Sequence, residues 1–443
     1  MRASSVAPSV ARSAVASALD RIEADGRSGI WIEIVDADEA LAAAAVVDRR
    51  RQAGEHMPLA GTTLAVKGNI DVVGHRTTAG CPSFGEVAGR SARSVEALEA
   101  AGAVVIGITN LDQFATGLVG TRSPYGACPN AHWSELVSGG SSSGSAVAVA
   151  SGLVDLALGT DTAGSGRVPA AANGIIGLKP TRGRWSTLGI VPACRSLDCP
   201  SVFARSLPLA TAAARVLSDQ PLDPADLWRR SGENVSITPG SIRIGVPTAG
   251  SLTFAGHERG SSRFSEAVET LTASLRSAGS TVDLVDIDLG PFVAAGRLLY
   301  DGAFVAERYE AVGSFVAQGS PDLDPHVRGV IERAADVRAW EVFRDRAELR
   351  RLDRLTASTW DRIDVMVVPS APRIPTVGEV TADPIGTNAM LGTYTNFVNL
   401  LDLAALTAPV GPEFVDGPPT SLTLIGRAWS DALLVAIASS VVP

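Results

Sequence analysis

Apolar residues along the chain alternate between helix-like and strand-like runs. "TTLAVKGNI" (62–70) predicts a buried strand and its end, and "SVEALEAAGAVVIGITN" (94–110) predicts a helix, a glycine turn and a second buried strand. "GSAVAVASG" (144–152) and "VDLALGTDTAGS" (154–165) predict a helix, a strand and another glycine turn. This alternation is typical of an α/β fold, in which helices cover both faces of a largely buried sheet.

A stretch richer in Asp, Pro, Gly and Ser, residues 216–262, predicts a crossing between two halves of the molecule. The second half holds predicted strands at "IRIGVP", "TVDLVDID" and "DVMVVPSAP", a helix near 263–278 and long helices across 291–354. No period of 20–50 residues repeats. We predict a helical N-terminal segment over residues 1–30 and one large domain over residues 31–443.

The composition narrows the classes of function. Of the 443 residues, 46% are hydrophobic and 19% are charged, which is enough to bury a large core. The net charge of −9 argues against a nucleic-acid partner, and Asp155 interrupts the best candidate for a membrane span. The four cysteines form no CxxC pair, so no metal site, cofactor or disulfide framework is predicted, and a reducing cytoplasm is the expected location.

A glycine- and serine-rich stretch, "SGGSSSGSAVAVASG" (138–152), opens one of the predicted helices. A phosphate-binding loop would need a lysine after Gly144, where Ser145 stands instead. The stretch also satisfies G-x-S-x-G with Ser142 as nucleophile, but only His257 and His326 follow it, both in polar, loop-like surroundings. A structural turn remains an alternative for this stretch considered alone.

Two further polar residues stand at the ends of apolar strands. Lys67 ends one predicted strand, where a charged amine is costly unless it is paired or neutral. Ser165 follows another strand within "ALGTDTAGSGRVPA" (157–170). The carboxyl ends of strands are where α/β folds build their sites. Because no suitable histidine follows, a neutral lysine is the base that could activate a serine.

These residues resemble the amidase signature family. The match runs from Gly139 to Gly152 and through "GTDTAGSGRVPA" (159–170), with Lys67 at the family's lysine position. The resemblance covers nearly the whole chain and implies the amidase-signature fold, a large mixed sheet covered by helices on both faces. It implies that Lys67 is the base, Ser141 a bridging serine after a cis peptide bond, and Ser165 the nucleophile.

The resemblance also assigns the loop around the nucleophile. It implies that the backbone N–H groups of Thr162, Ala163 and Gly164 face the oxyanion of the tetrahedral intermediate. It further implies that Asp161 and Arg167 form an ion pair that braces this loop.

Longer stretches are similar to the allophanate hydrolases within that family, here as the amidase domain without an extra C-terminal domain. They are "NLDQFATGLVGTRSPYGACPNA" (110–131), "GIVPACRSLDCPSVFA" (189–204) and "TYTNFVNLLDLAAL" (393–406). This similarity implies a small substrate that carries a carboxylate. It places Tyr300 and Arg308, on one face of a single helix, and the backbone of Gly117 at the substrate. From spacing alone, an exposed Arg308 paired with Glu307 or Glu310, and Gly117 as a turn residue, are the alternatives.

Other functions remain open at this point. One is hydrolysis of carboxybiuret or another small amide, and another is an amidotransferase subunit that hands ammonia to a partner. A non-catalytic binding subunit is a distant alternative, because Lys67, Ser141 and Ser165 are all present. A homodimer is the expected assembly, and association with other urea- or triazine-degrading enzymes is the alternative to a homodimer that acts alone.

Overall fold

The structure is a computed structural model and describes residues 9–235, 240–410, 417 and 420–442. Within these residues, one sheet holds eleven strands. They are β1 (Trp31–Ile34), β2 (Thr63–Lys67), β3 (Val104–Thr109), β4 (Leu156–Asp161), β5 (Ile176–Lys179), β6 (Cys199–Ala204), β7 (Ser241–Pro247), β8 (Thr281–Ile287), β9 (Val365–Pro369), β10 (Ala404–Pro409) and β11 (Ser421–Gly426). Their order across the sheet is β1-β3-β2-β4-β6-β5-β10-β11-β9-β7-β8.

Helices pack around this sheet. They are α1 (Val10–Asp25), α2 (Ala37–Gln52), α3 (Arg93–Ala100), α4 (Ser143–Ala150), α5 (Val168–Ala172), α6 (Leu207–Ser218), α7 (Gly260–Ser277), α8 (Gly290–Asp301), α9 (Ala306–Gln318), α10 (Pro325–Arg333), α11 (Ala339–Trp360), α12 (Val377–Ala382), α13 (Gly386–Leu391), α14 (Asn396–Leu400) and α15 (Asp431–Ala438). None of the helices in the described ranges is both long enough and apolar enough to cross a bilayer.

The sheet is mixed, as expected from the resemblance. β2 pairs in parallel with β3 and β4, and β7 pairs in parallel with β8 and β9, while the strands between these groups run antiparallel. Every residue of β2, β3 and β4 is buried. The continuous apolar runs therefore mark strands that are covered on both faces, and the predicted α/β fold is confirmed.

The connection between the two halves of the molecule, predicted over residues 216–262, is shorter than the composition of this stretch suggested. α6 extends to Ser218, and β7 begins at Ser241, inside the stretch 216–262. Ile242 and Ile244 alternate with more exposed neighbours along β7, and this period of two forms a strand in spite of the surrounding glycines and prolines.

The N-terminal helix α1 buries Ala11, Val15 and Ile22 in the same hydrophobic core as strands β2 to β4. Residues 1–8 of the predicted N-terminal segment lie outside the described residues. The boundary at residue 30 stays a prediction.

The parallel pairing of β2 with β4 sets the position of the site. Val66 lies opposite Leu158, so the carboxyl ends of the two strands meet at one edge of the sheet. Lys67 ends β2, and Ser165 follows β4 by four residues. α4 begins at Ser143, directly after Ser141 and Ser142, and packs on β4. Residues about a hundred positions apart in the sequence thus meet at this edge.

Candidate active site

Lys67 lies fully buried among hydroxyl groups. Its Nζ is 2.8 Å from Ser141 Oγ and 2.7 Å from Thr160 Oγ1. The structure therefore brings the predicted lysine and the predicted bridging serine together. Thr160 was not singled out from the sequence, although its place near the end of a buried strand beside β2 was an available signal.

Burial sets the ionisation of this lysine. Loss of solvent around the amine lowers the pKa of Lys67 to about 7. The negative charges of Asp112, Asp198 and Asp161 act in the opposite direction but do not cancel that effect. A large fraction of Lys67 is therefore neutral near pH 7, which is the state that can accept a proton.

The peptide bond between Gly140 and Ser141 is cis, as the resemblance implies. A Cβ at Gly140 would overlap the carboxylate of Asp112, so this position excludes a side chain. Asp112 donates its N–H to the Ser141 carbonyl at 3.1 Å. Its carboxylate accepts the N–H groups of three residues in the next loop, Val119, Gly120 and Arg122. Asp112 is a residue that sequence reasoning missed, and it ties that loop to the bridging serine.

Two other serines of the cluster have structural contacts. Ser142 Oγ donates to the Thr160 carbonyl at 3.1 Å, and Ser145 Oγ donates to the Leu158 carbonyl at 2.9 Å. Both hydrogen bonds connect the start of α4 to β4. Within the cluster, it is Ser141 that contacts the lysine.

A buried ion pair holds the loop that carries Ser165. Arg167 donates two hydrogen bonds of 2.8 Å to Asp161, and neither side chain is exposed. Asp161 also accepts the N–H groups of Gly164 and Gly166, on either side of Ser165. Burial by itself raises the pKa of Asp161, but the Arg167 guanidinium keeps that pKa below its ordinary value. The predicted bracing pair is confirmed.

The N–H of Gly164 does not face an oxyanion in this structure, which corrects the prediction for this residue. It donates to Asp161 Oδ1 at 3.0 Å, because the buried carboxylate is a strong, fixed acceptor. The backbone N–H groups of Ala163 and Ser165, by contrast, meet no acceptor among the described residues. Thr162 Oγ1 donates to Asp198 at 2.5 Å. That bond leaves the backbone N–H of Thr162 without an acceptor in the described ranges as well, so Thr162, Ala163 and Ser165 are the candidates for oxyanion donors.

Ser165 itself is buried at the end of this loop. In the described part of the chain its hydroxyl has no hydrogen bond, and its predicted link to Ser141 is not formed. Catalytic hydrogen bonds are often loose in the absence of substrate. The lysine-to-serine half of the relay is thus present, and the serine-to-serine half stays a prediction.

Tyr300 and Arg308 lie on two helices and not on one, contrary to the prediction. Tyr300 belongs to α8 and Arg308 to α9, because the chain is extended at Gly302 (φ −101°, ψ −175°) and then forms a short 3-10 turn. The two side chains nevertheless meet. Arg308 Nη2 donates to the Tyr300 hydroxyl at 3.4 Å, and its Cζ lies 5.4 Å from the ring centroid.

Arg308 is buried, with 2% of its surface exposed. Its Nη1 donates to Thr116 Oγ1 at 2.9 Å, and no carboxylate of the described residues forms an ion pair with it. The surface alternative is wrong, since Glu307 instead accepts the N–H and hydroxyl of Ser196. A buried cation without a direct ion-pair partner is costly, so this geometry favours a negatively charged ligand.

Gly117 follows the threonine that holds Arg308. A Cβ at Gly117 would lie 2.6 Å from Asp112 Oδ2, so its contact with that carboxylate accounts for the glycine. The predicted contact between its backbone and a substrate stays a prediction.

The sequence pattern that defines the amidase family matches residues 13–435. The chain belongs to the amidase family. As a member of this family, the chain is an enzyme that acts on carbon–nitrogen amide bonds. The match confirms the family that the glycine- and serine-rich motifs predicted.

The named relatives of this amidase include hydrolases and amidotransferase subunits. Urea amidolyase of Saccharomyces cerevisiae is 44% identical over 92% of this chain, but the chain spans only 22% of that longer protein. A glutamyl-tRNA(Gln) amidotransferase subunit of Symbiobacterium thermophilum is 33% identical over 95% of this chain and 91% of its own length. Among solved structures, allophanate hydrolase of Kluyveromyces lactis matches with a TM-score of 0.89 and 41% identity, over 97% of this chain and 70% of that one.

Proposed function

We propose that this amidase is an allophanate hydrolase, which releases ammonia from allophanate (urea-1-carboxylate) and leaves N-carboxycarbamate. The observation that carries the proposal is Arg308, a buried guanidinium beside the Tyr300 hydroxyl that forms no ion pair with a carboxylate of the described residues. Allophanate bears a carboxylate at the end opposite its scissile carboxamide. The similarity to urea amidolyase and to allophanate hydrolase supports the same substrate.

In the proposed mechanism, neutral Lys67 accepts a proton from Ser141 while Ser141 accepts the proton of Ser165. The Ser165 oxygen then attacks the carboxamide carbon, and the carbonyl oxygen becomes an oxyanion near the N–H groups of Thr162, Ala163 and Ser165. When this intermediate collapses, the carbon–nitrogen bond breaks and the relayed proton leaves with ammonia. Water, activated by the same relay, then hydrolyses the acyl-enzyme.

At the other end of the substrate, Arg308 would donate two hydrogen bonds to the carboxylate. Thr116 holds one guanidinium nitrogen in place, so the fork is oriented before substrate arrives. Tyr300 would add a neutral donor next to it. The homodimer, the cytoplasmic location and any association with other urea- or triazine-degrading enzymes stay predictions.

The pH dependence tests the neutral lysine. Because Lys67 must be unprotonated to accept a proton and its pKa is about 7, kcat/KM should rise with pH through about 7 and then level off. At pH 6 it should be about tenfold below the plateau. Initial rates of ammonia release, corrected for spontaneous decay of allophanate, give the profile. A flat profile from pH 5.5 to 9 would contradict the assignment.

Arg308→Gln tests the substrate. Losing the two-pronged partner of a buried carboxylate should lower kcat/KM for allophanate about a hundredfold or more, roughly 3 kcal/mol. Biuret is the matched control substrate, because a neutral carboxamide replaces the carboxylate. Turnover of biuret should fall far less.

Arg308→Lys provides the matched variant. A point charge cannot reproduce the planar fork, so the lysine should restore part of the lost activity towards allophanate. Equal losses on allophanate and biuret would make Arg308 a structural residue, and the enzyme would then be a more general amidase.

A second candidate is an ammonia-donating amidotransferase component, favoured by the full-length similarity to a glutamyl-tRNA(Gln) amidotransferase subunit. Ammonia release by the isolated chain from allophanate, biuret, malonamate and glutamine distinguishes the two. A preference for allophanate supports the hydrolase, and a preference for glutamine supports the amidotransferase component. Equal rates on all four compounds would refute both narrow assignments.

A further inference from the structure

The buried carboxylate of Asp198 lies directly before β6 and has no part in the mechanism proposed above. β6 runs antiparallel to β4, and Cys199, its first residue, lies opposite Asp161 at the end of β4. One residue beyond this pair, the same register brings Asp198 next to Thr162. Thr162 opens the loop that carries Ser165, so Asp198 approaches this loop from the neighbouring strand.

Both oxygens of Asp198 accept hydrogen bonds. Oδ1 accepts the Thr162 hydroxyl at 2.5 Å, and Oδ2 accepts the N–H of Ala193 at 2.9 Å. The N–H of Cys194 lies 3.2 Å from each oxygen. The N–H of Asp198 in turn donates to the Cys194 carbonyl at 2.9 Å, which closes a tight turn. Because the turn fixes the carboxylate, the carboxylate fixes the orientation of the Thr162 side chain.

The loop around the nucleophile is thus held from two sides by buried carboxylates. Asp161 accepts two N–H groups from the second half of the loop, and Asp198 anchors the first half through Thr162. Ala163 lies between the anchored positions, and its N–H has no acceptor within the described ranges. Donors of an oxyanion hole stabilise the developing charge most when they are fixed in advance. The anchor at Thr162 therefore bears on the chemical step.

The charge of Asp198 reaches two cations of the site. Burial lowers the pKa of Lys67, and the negative charges of Asp112, Asp198 and Asp161 oppose that effect. Burial raises the pKa of Asp198, and its hydrogen bonds and the positive charge of Arg308 limit that rise. Asp198 is therefore close enough to act on both the proposed base and the proposed carboxylate-binding arginine.

The thiols of Cys194 and Cys199 are the other titratable groups that Asp198 influences. Burial raises the pKa of both thiols, so they stay neutral at the pH of the reaction. The groups bonded to Lys67 are the hydroxyls of Ser141 and Thr160, which carry no charge. The charges that act on Lys67 are thus those of the three aspartates.

We propose that Asp198 is a positioning residue with two effects on the reaction. Through Thr162 it fixes the first donors of the oxyanion hole, and through its charge it stabilises Lys67 once Lys67 has accepted the relayed proton. The proposal rests on the proposed function, since it assumes the relay from Ser165 to Lys67. Asp198 acts through these neighbours and not on the substrate, so its loss should alter kcat and the pH profile but not KM.

Asp198→Asn is the first test, because it keeps the size of the side chain and removes its charge. Without that charge the protonated form of Lys67 is less stable, so the midpoint of the rise in kcat/KM should move from about 7 to lower pH by about half a unit or more. The plateau of kcat should fall about tenfold or more, since an amide cannot accept from every donor that faces Asp198. KM for allophanate should stay within about twofold of the wild type.

Thr162→Val separates the two effects, because it removes the anchor and keeps the charge. Its kcat should fall about tenfold, with KM and the midpoint of the pH profile unchanged. Thr162→Ser, which keeps the hydroxyl, should recover most of that loss. If Asp198→Asn does not fold, this pair decides the proposal, and an unchanged kcat in Thr162→Val overturns it.

Thr63→Val is the matched control. Thr63 is buried and its hydroxyl donates to Asp155 at 2.7 Å, at the end of β2 opposite to Lys67. The control should lose stability as Thr162→Val does but keep the wild-type kcat and pH profile. Equal losses of kcat in these two variants, or a folded Asp198→Asn protein with the wild-type midpoint, would overturn the role of Asp198.

The choice of substrate separates this proposal from the assignment to allophanate. Asp198 acts on the attack at the carbonyl, so its variants should lose the same fraction of kcat on allophanate and on biuret. A wild-type chain that hydrolyses biuret, malonamate or glutamine but not allophanate would overturn the proposed substrate, and the same variants would then test Asp198 on that amide. A wild-type chain that hydrolyses none of the four would overturn both proposals.

Discussion

Ser165→Ala is expected to abolish turnover of allophanate, with kcat lower by about 10⁶, as for loss of the nucleophile in other serine hydrolases. Ser142 and Ser145 should not take its place, because their hydroxyls are bonded to carbonyls of β4. Stopped reactions of the wild type should contain a covalent acyl-enzyme that mass spectrometry detects, and those of the variant should not.

The matched control for this variant is Ser145→Ala. It removes a buried hydroxyl of the same cluster, one that contacts the Leu158 carbonyl and not Lys67. It should lower stability by the loss of two buried hydrogen bonds, to the Leu158 carbonyl and to the Thr109 hydroxyl, about 2 kcal/mol, and leave most of kcat intact. Ser165→Ala with measurable turnover and a native circular dichroism spectrum would assign the nucleophile elsewhere.

Lys67→Met should have the second largest effect, a loss in kcat of about 10² to 10⁴, because it removes the only proposed base and keeps much of the side-chain volume. The rise of kcat/KM through pH 7 should disappear together with the amine. Rates across the same pH range, measured on protein whose fold is checked by circular dichroism, test both expectations.

Lys179→Met is the matched control for the base. Lys179 is also fully buried, but its Nζ donates to the Pro180 carbonyl and lies 3.6 Å from Cys199 Sγ, away from the serines. A folded Lys179→Met protein should keep the pH profile of the wild type. Near-normal kcat in Lys67→Met at pH 7 would refute the neutral-lysine base.

Features that depend on local pattern were predictable from the sequence. The buried strands β2 and β4 follow from continuous apolar runs, and Lys67 and Ser165 stand out because they are polar residues at or after the ends of such runs. The ion pair of Asp161 and Arg167 spans only six positions in one motif. Short-range chemistry of this kind leaves a recognisable signature in the chain.

Features that depend on distant partners were not predictable. Arg308 contacts Thr116 across 192 positions, and no periodicity connects them. The assignment of Gly164 failed for a related reason, since the direction of a backbone N–H depends on which acceptor lies nearest after folding. Likewise, the chain leaves the helical conformation at Gly302, so Tyr300 and Arg308 do not share the single helix that their spacing in the sequence allowed. Tertiary contacts decided each of these cases.

The buried amine of Lys67 also couples folding to proton uptake. The pKa of the side chain is 10.5 in the unfolded reference state and about 7 in the folded protein, so unfolding binds a proton between these two values. Below pH 7 the buried amine lowers the free energy of unfolding by its full amount, about 5 kcal/mol. Above pH 10.5 this destabilisation is absent, because the amine is neutral in both states. Mild alkali therefore favours both the native state and the neutral, active form of Lys67. Acid protonates the same nitrogen atom, and this protonation disfavours the native state and inactivates the base.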